Sequence, residues 1–218
     1  MKYKRTSGFT LIELLVVVGI IIMLSAVMLA DTNKFGGQSL LQNLAYDIAL
    51  SVREAQVYGI SVQNTGTSGD LTPGYGMYFS TADSAHYHLF ADTSSGPGVL
   101  EPDGVYEAGE DVSPSPYSIG SGFQIYDLCV TGDSGEDCSQ TSLTLIFLHP
   151  EPDAYIDPTC SATQDVVSGQ YDEQCSSSYS SARIIVSSPR GDYMSIVISS
   201  NGQISVNSCG VAHTPGCP

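Results

Sequence analysis

Phe9–Ala30 reads FTLIELLVVVGIIIMLSAVMLA, and these 22 residues decide how the rest of the chain is placed. As a helix they rise about 33 Å, enough to cross a hydrocarbon core of roughly 30 Å. Glu13 is the only strongly polar member, with Thr10 and Ser25 as mild exceptions. A secretory signal fits poorly, because its apolar region runs only about 7–15 residues and ends at a small-residue cleavage site. A plain signal anchor fits the length but leaves Glu13 unexplained. A carboxylate in a spanning helix costs about 2–3 kcal/mol, so its presence implies a partner. Upstream lie Lys2, Lys4 and Arg5. A short cationic head before an apolar run stays on the cytoplasmic side of a membrane.

Working outward, the chain has 218 residues, with 23 Asp and Glu against 7 Lys and Arg, a formal net charge of -16. Such a charge repels phosphate backbones, so nucleic acid is not an expected partner. Three of the seven cations fall within residues 1–8, and everything beyond is strongly acidic. Hydrophobic residues make up 42%, enough for a packed core. The six cysteines, Cys129, Cys138, Cys160, Cys175, Cys209 and Cys217, show no Cys-x-x-Cys spacing. Disulfides in an oxidising, exported compartment are the expectation, ahead of a metal cluster. Proximity alone suggests Cys129–Cys138, Cys160–Cys175 and Cys209–Cys217, out of 15 pairings that six cysteines permit.

Ser7-Gly8-Phe9-Thr10-Leu11-Ile12-Glu13-Leu14-Leu15 resembles the class III prepilin signal of type IV pilins and type II secretion pseudopilins. The resemblance covers the first seventh of the chain. It implies that prepilin peptidase cuts between Gly8 and Phe9 on the cytoplasmic face and N-methylates Phe9. It also implies an α+β, pilin-like fold, in which a long N-terminal helix, membrane-spanning in its first half, packs on a C-terminal antiparallel β-sheet domain. Cleavage creates a cationic amine at Phe9, and Glu13 lies about 6 Å further along the helix axis. An acid and an amine at that offset can neutralise one another between neighbouring subunits, supplying cohesion and register in low dielectric. Glu13 is therefore the expected assembly residue.

The domain plan that follows is a cationic leader (1–8), a transmembrane segment (9–30), an amphipathic helical continuation (31–60) and an exported β-rich head (61–218). Lys34-Phe35-Gly36-Gly37 predicts a kink or melted turn, with Ser39 a candidate N-cap for a second helix. Leu41, Leu44, Ile48, Val52 and Ala55 recur at spacings of three and four, the stripe of a helix docked on a sheet. Asp47, Arg53, Glu54 and Gln56 fall off it. Strands are expected at 74–79, 86–90, 123–128, 143–148, 183–186, 193–198 and 203–206, the last three forming a meander. Asn201-Gly202 is the hairpin signal between its final pair. This order, with LLQNLAYDIALSVREAQVYGISV and IVISSNGQISV, resembles the pseudopilin H and FimT-like minor subunits. Many major pilins carry a proline where this chain has Ala30, which favours a minor subunit.

Residues 91–122 read as an acidic surface loop, half of it Gly, Pro and Ser, with six acids and no base. Asp92, Asp103, Glu107, Glu110 and Asp111 are oxygen ligands of the kind calcium accepts, but their spacing matches no EF-hand. Calcium is a weak candidate, and no other cofactor is implied. His86 and His88 share a strand face and are read as ordinary surface histidines. Arg190-Gly191-Asp192 reads as a turn. No nucleophile, zinc-hydrolase or phosphate-loop motif is present, so an enzyme is not expected. The resemblance points to a structural subunit that sits single-pass in the inner or cytoplasmic membrane, head exported, and enters an extracytoplasmic filament with other pilins or pseudopilins. The filament is a type II secretion pseudopilus or, alternatively, a type IV pilus in which the chain is a minor pilin for initiation, adhesion or DNA uptake. A capture module on the same scaffold is a separate class of function.

Overall fold

Helix α1 spans Leu11–Ile60 in the computed structural model, which describes residues 8–61, 74–92, 104–120, 122–157 and 179–209, without the side chains of 30–36. The expected melted turn is absent: helical backbone runs through 34–37, and Ser39 lies inside the helix rather than at a new N-terminus. No proline falls between Phe9 and Ile60, so every amide can donate within the helix. Two glycines cost about 1 kcal/mol each, whereas stopping and restarting would orphan a set of backbone groups at each new end.

Contacts divide the chain into two units, Met1–Ser39 and Leu40–Pro218. The first holds the apolar part of α1, and the candidate span Leu11–Leu29 has none of its residues buried. The second unit is α+β. Within it Leu41, Ala45, Ile48, Val52 and Ala55 are buried in one cluster with side chains from two antiparallel sheets. The periodic stripe is thus the core face of this part of the helix, as its spacing requires. Gln56 departs from expectation: it is 1% exposed. Its Nε2 donates to Pro152 O (2.6 Å) and Gly202 O (3.2 Å), which is why an amide tolerates the interior there.

The first sheet, A, has the order β3-β2-β1-β6-β7, from β1 (Gly74–Ser80), β2 (His86–Asp92), β3 (Tyr117–Ser118), β6 (Ser142–Phe147) and β7 (Ala154–Asp157). The second, B, has the order β10-β9-β8-β4-β5, from β4 (Gln124–Gly132), β5 (Gly135–Gln140), β8 (Ser181–Ser187), β9 (Tyr193–Ser199) and β10 (Ile204–Ser208). All seven expected strands are present, and β8, β9 and β10 form the expected meander. On β1 and β2, Met77, Phe79, Tyr87 and Leu89 belong to the core, so Tyr78, His88 and Phe90 occupy the opposite face.

The insertion 91–122 is more than a surface loop. In its described part Tyr117–Ser118 is the edge strand β3, Ile119 is buried in the core, and Phe90 bridges to Asp111. One buried isoleucine and a two-residue strand leave no periodic trace among the surrounding prolines and serines. Arg190-Gly191-Asp192 is the β8–β9 turn, with Gly191 at φ 82 and the Asp192 amide donating to Ser188 Oγ (3.1 Å).

Candidate functional site

The N-terminal segment is built around the start of α1. Thr10 sits just outside the first helical residue and caps it. The Glu13 amide donates to Thr10 Oγ1 (3.4 Å), and the Thr10 hydroxyl donates to Glu13 Oε2 (3.4 Å). The Leu14 amide donates to Thr10 O at 3.2 Å, closing the first turn. This Thr-x-x-Glu reciprocity is a variant of the capping box, and it places a carboxylate where the positive end of the helix dipole favours it. The sequence reading missed it, although Thr10-Leu11-Ile12-Glu13 is its signature.

Around this turn nothing is covered. Phe9 is 78% exposed and Leu11 82%, and the large apolar side chains from Leu14 to Leu29 are likewise open. Apart from its chain neighbours, no described residue comes within 4 Å of a Cβ placed on Gly8. A 19-residue apolar span with none of its residues buried needs an apolar solvent or apolar neighbours. Glu13 faces the same environment from within it, held by a neutral hydroxyl that supplies a hydrogen bond but no charge.

The remaining candidates lie elsewhere. Cys129 on β4 and Cys138 on β5 form a disulfide that ties the edge hairpin of sheet B. Cys209 is also disulfide-bonded, while Cys160, Cys175 and Cys217 lie outside the described residues. Asp127 lies near Cys129 and Cys138, the one group of three metal-ligand side chains among the described residues, and both its sulfurs are already joined.

Among the described residues the calcium candidates form no group of three ligand atoms. Asp92 is fully buried and accepts the Gly104 amide (2.8 Å). Glu110 accepts the Glu107 amide (3.0 Å), and Asp103 lies outside the described residues. Asp111 instead joins His88, Tyr106 and Ser115. Burial pushes its carboxyl up, but hydrogen bonds from Ser115, His88 and Tyr106 outweigh that and hold it below the usual range. His86 pairs separately with Asp83 at 2.9 Å.

A long helix, apolar and uncovered at its start and packed into antiparallel sheets in its second unit, is the α+β pilin-like architecture. Residues 3–29 match the family model of the prokaryotic N-terminal methylation motif, a stretch that includes Gly8, Phe9 and Glu13. The match supports a type IV pilin-like subunit anchored in a membrane through this helix. No curated protein and no solved structure matches the chain.

Proposed function

We propose that the chain is a minor pseudopilin of a type II secretion system, cleaved by prepilin peptidase between Gly8 and Phe9 and methylated on Phe9. Before assembly it is stored in the membrane through residues 9–30. The observation that carries the proposal is Glu13 inside an uncovered apolar helix start, within the stretch that matches the methylation motif. Cleavage supplies an amine one helical turn away, and pairing across neighbouring subunits neutralises both charges where neither is well solvated. Leu40, Tyr46, Leu50 and Val57 are exposed on the helix of the second unit, away from its core face. An apolar strip there suits lateral packing against other subunits. The unbroken helix and Ala30 favour a minor subunit over a main pilus subunit.

Mass spectrometry of the mature N-terminus, after co-expression with prepilin peptidase, tests processing. An N-methylated Phe9 is expected, and an intact leader overturns the proposal. Recovery of Glu13→Ala protein in sheared filaments tests the assembly role. The variant is expected to remain in the membrane, and normal incorporation removes that role. Incorporation of the wild type into pseudopili, rather than pili, tests the choice of machine.

A further inference from the structure

A strap, residues 104–116, crosses the face of sheet A opposite the core. Its backbone is fixed to β2 through Ala91 N–H to Glu110 O (3.0 Å) and Val112 N–H to Leu89 O (2.9 Å). The Tyr106 ring lies against Tyr78, His88 and Phe90, with centroids 4.8, 4.7 and 5.4 Å away. At the centre is Asp111. Its Oδ1 accepts from Ser115 Oγ (2.7 Å) and His88 Nδ1 (2.9 Å), and its Oδ2 accepts from Tyr106 Oη (3.0 Å). The Leu89 amide in turn donates to Ser115 Oγ at 3.0 Å. Asp111 therefore joins strand and strap at the centre, and Asp92 at the end of β2 holds the strap's start by accepting the Gly104 amide (2.8 Å).

The His88 and Asp111 side chains are 18% and 29% exposed, so protons reach them from solvent. Ionisation of Asp111 keeps all three donors in place, with His88 as its Nδ1–H tautomer and Tyr106 Oη also 2.9 Å from that nitrogen. Protonating the carboxylate does not: it replaces an acceptor with a donor and removes the charge that strengthens all three bonds. We propose that Asp111 is an acid-releasable clasp, whose protonation frees the 104–116 strap from sheet A and uncovers Tyr78 and Phe90.

Other titratable groups near the clasp are Tyr78 from β1, His86 and its partner Asp83 at the start of β2, the buried Asp92 at its end, which accepts the strap's Gly104 amide, and Glu107 and Glu110 from the strap. Glu110 bonds the Glu107 amide within the strap. Because the Asp111 carboxyl is held below its ordinary range, the clasp is fully closed at and above that range, about pH 4. It is lost only as the pH falls through the lowered value.

Hydrogen exchange of the full detergent-solubilised chain, corrected for intrinsic rates, tests this at pH 6 and pH 3. Strap amides are expected to exchange several-fold faster at pH 3, while β8 and β9 stay protected. Asp111→Asn mimics the protonated acid and should show that faster exchange already at pH 6. Tyr106→Phe removes one donor and should lie between, which keeps the test open should the Asn variant not fold. Glu110→Gln should match the wild type at pH 6. Unchanged strap protection in both the Asp111 and Tyr106 variants overturns the clasp. So does opening by Glu110→Gln, or parallel loss of β8 and β9 protection at pH 3.

Discussion

Replacing Gln56 by alanine removes the buried amide by which α1 grips two adjoining loops of the head, at Pro152 and Gly202. Its Nε2 serves two carbonyls far away in sequence, Pro152 O at 2.6 Å and Gly202 O at 3.2 Å, and its Oε1 accepts from Arg53. Net loss is about 1 kcal/mol for each neutral bond. The two acceptors then fare differently. Pro152 is exposed, so water can replace the amide there. Gly202 is buried, and stranding its carbonyl costs about 1–3 kcal/mol in place of that net value. The total is about 2–4 kcal/mol, with a further small cost for the cavity. With a urea dependence of about 2 kcal/mol/M, the midpoint of the detergent-solubilised protein should fall by about 1–2 M. Far-UV circular dichroism of Gln56→Ala and wild type reads this directly. A midpoint shift under about 0.3 M would mean that the buried amide is not what joins α1 to the two loops.

Gly202 is the other half of that contact. It sits at φ 77, and a Cβ there would run into Pro152 O and Gln56 Nε2, so Gly202→Ala should cost about 2–4 kcal/mol in the same urea experiment. Gly59 faces the backbone and Cβ of Phe147 with no room for a methyl, and Gly59→Ala should lower the melting temperature although alanine is the better helix former. Opening the Cys129–Cys138 loop by Cys138→Ser should cost about 2–3 kcal/mol, checked by urea midpoints with and without reductant. Burial first, then the hydrogen bond to Asp111, pushes Tyr106 up to about 12. Its folded value exceeds the unfolded one, so its stabilising contribution is complete below about pH 10 and is lost as the pH rises toward 12. Spectrophotometric titration should show a tyrosine ionising above pH 11 that Tyr106→Phe removes.

What could be foreseen from sequence followed the range of the forces involved. Leu41, Ile48, Val52 and Ala55 announce their burial because a helix repeats every 3.6 residues, and the seven strands with apolar alternation do the same at a period of two. Local bridging also works: Cys129 and Cys138 are 9 residues apart. β5, in contrast, is exposed and polar along nearly its whole length, held by its partner strand and a disulfide rather than by burial, so hydrophobic patterning is silent about it. Gln56 looks like a surface residue until two carbonyls, 96 and 146 residues away, are brought to it. The His88–Asp111 pair spans 23 residues of proline- and glycine-rich chain and carries no spacing rule. Thr10 and Glu13 are the opposite case, a local capping signal overshadowed by the apolar run around it.

That capping turn sharpens what the proposed cleavage has to accomplish. A hydroxyl at 3.4 Å orients the Glu13 carboxylate and the positive end of the helix dipole favours its charge, each worth about 1 kcal/mol or less. The insertion cost of the acid is about 2–3 kcal/mol, so local capping offsets only part of it. A full opposite charge is the remaining remedy, and Lys2, Lys4 and Arg5 belong by polarity to the aqueous cytoplasmic side rather than to the apolar layer. A new amine at Phe9 is the only cation that processing can place on the apolar segment itself. On this argument Thr10 sets the direction of the carboxylate, while the charge that satisfies it is, under the proposed function, an amine freed at Phe9, which neighbouring subunits can share in a filament.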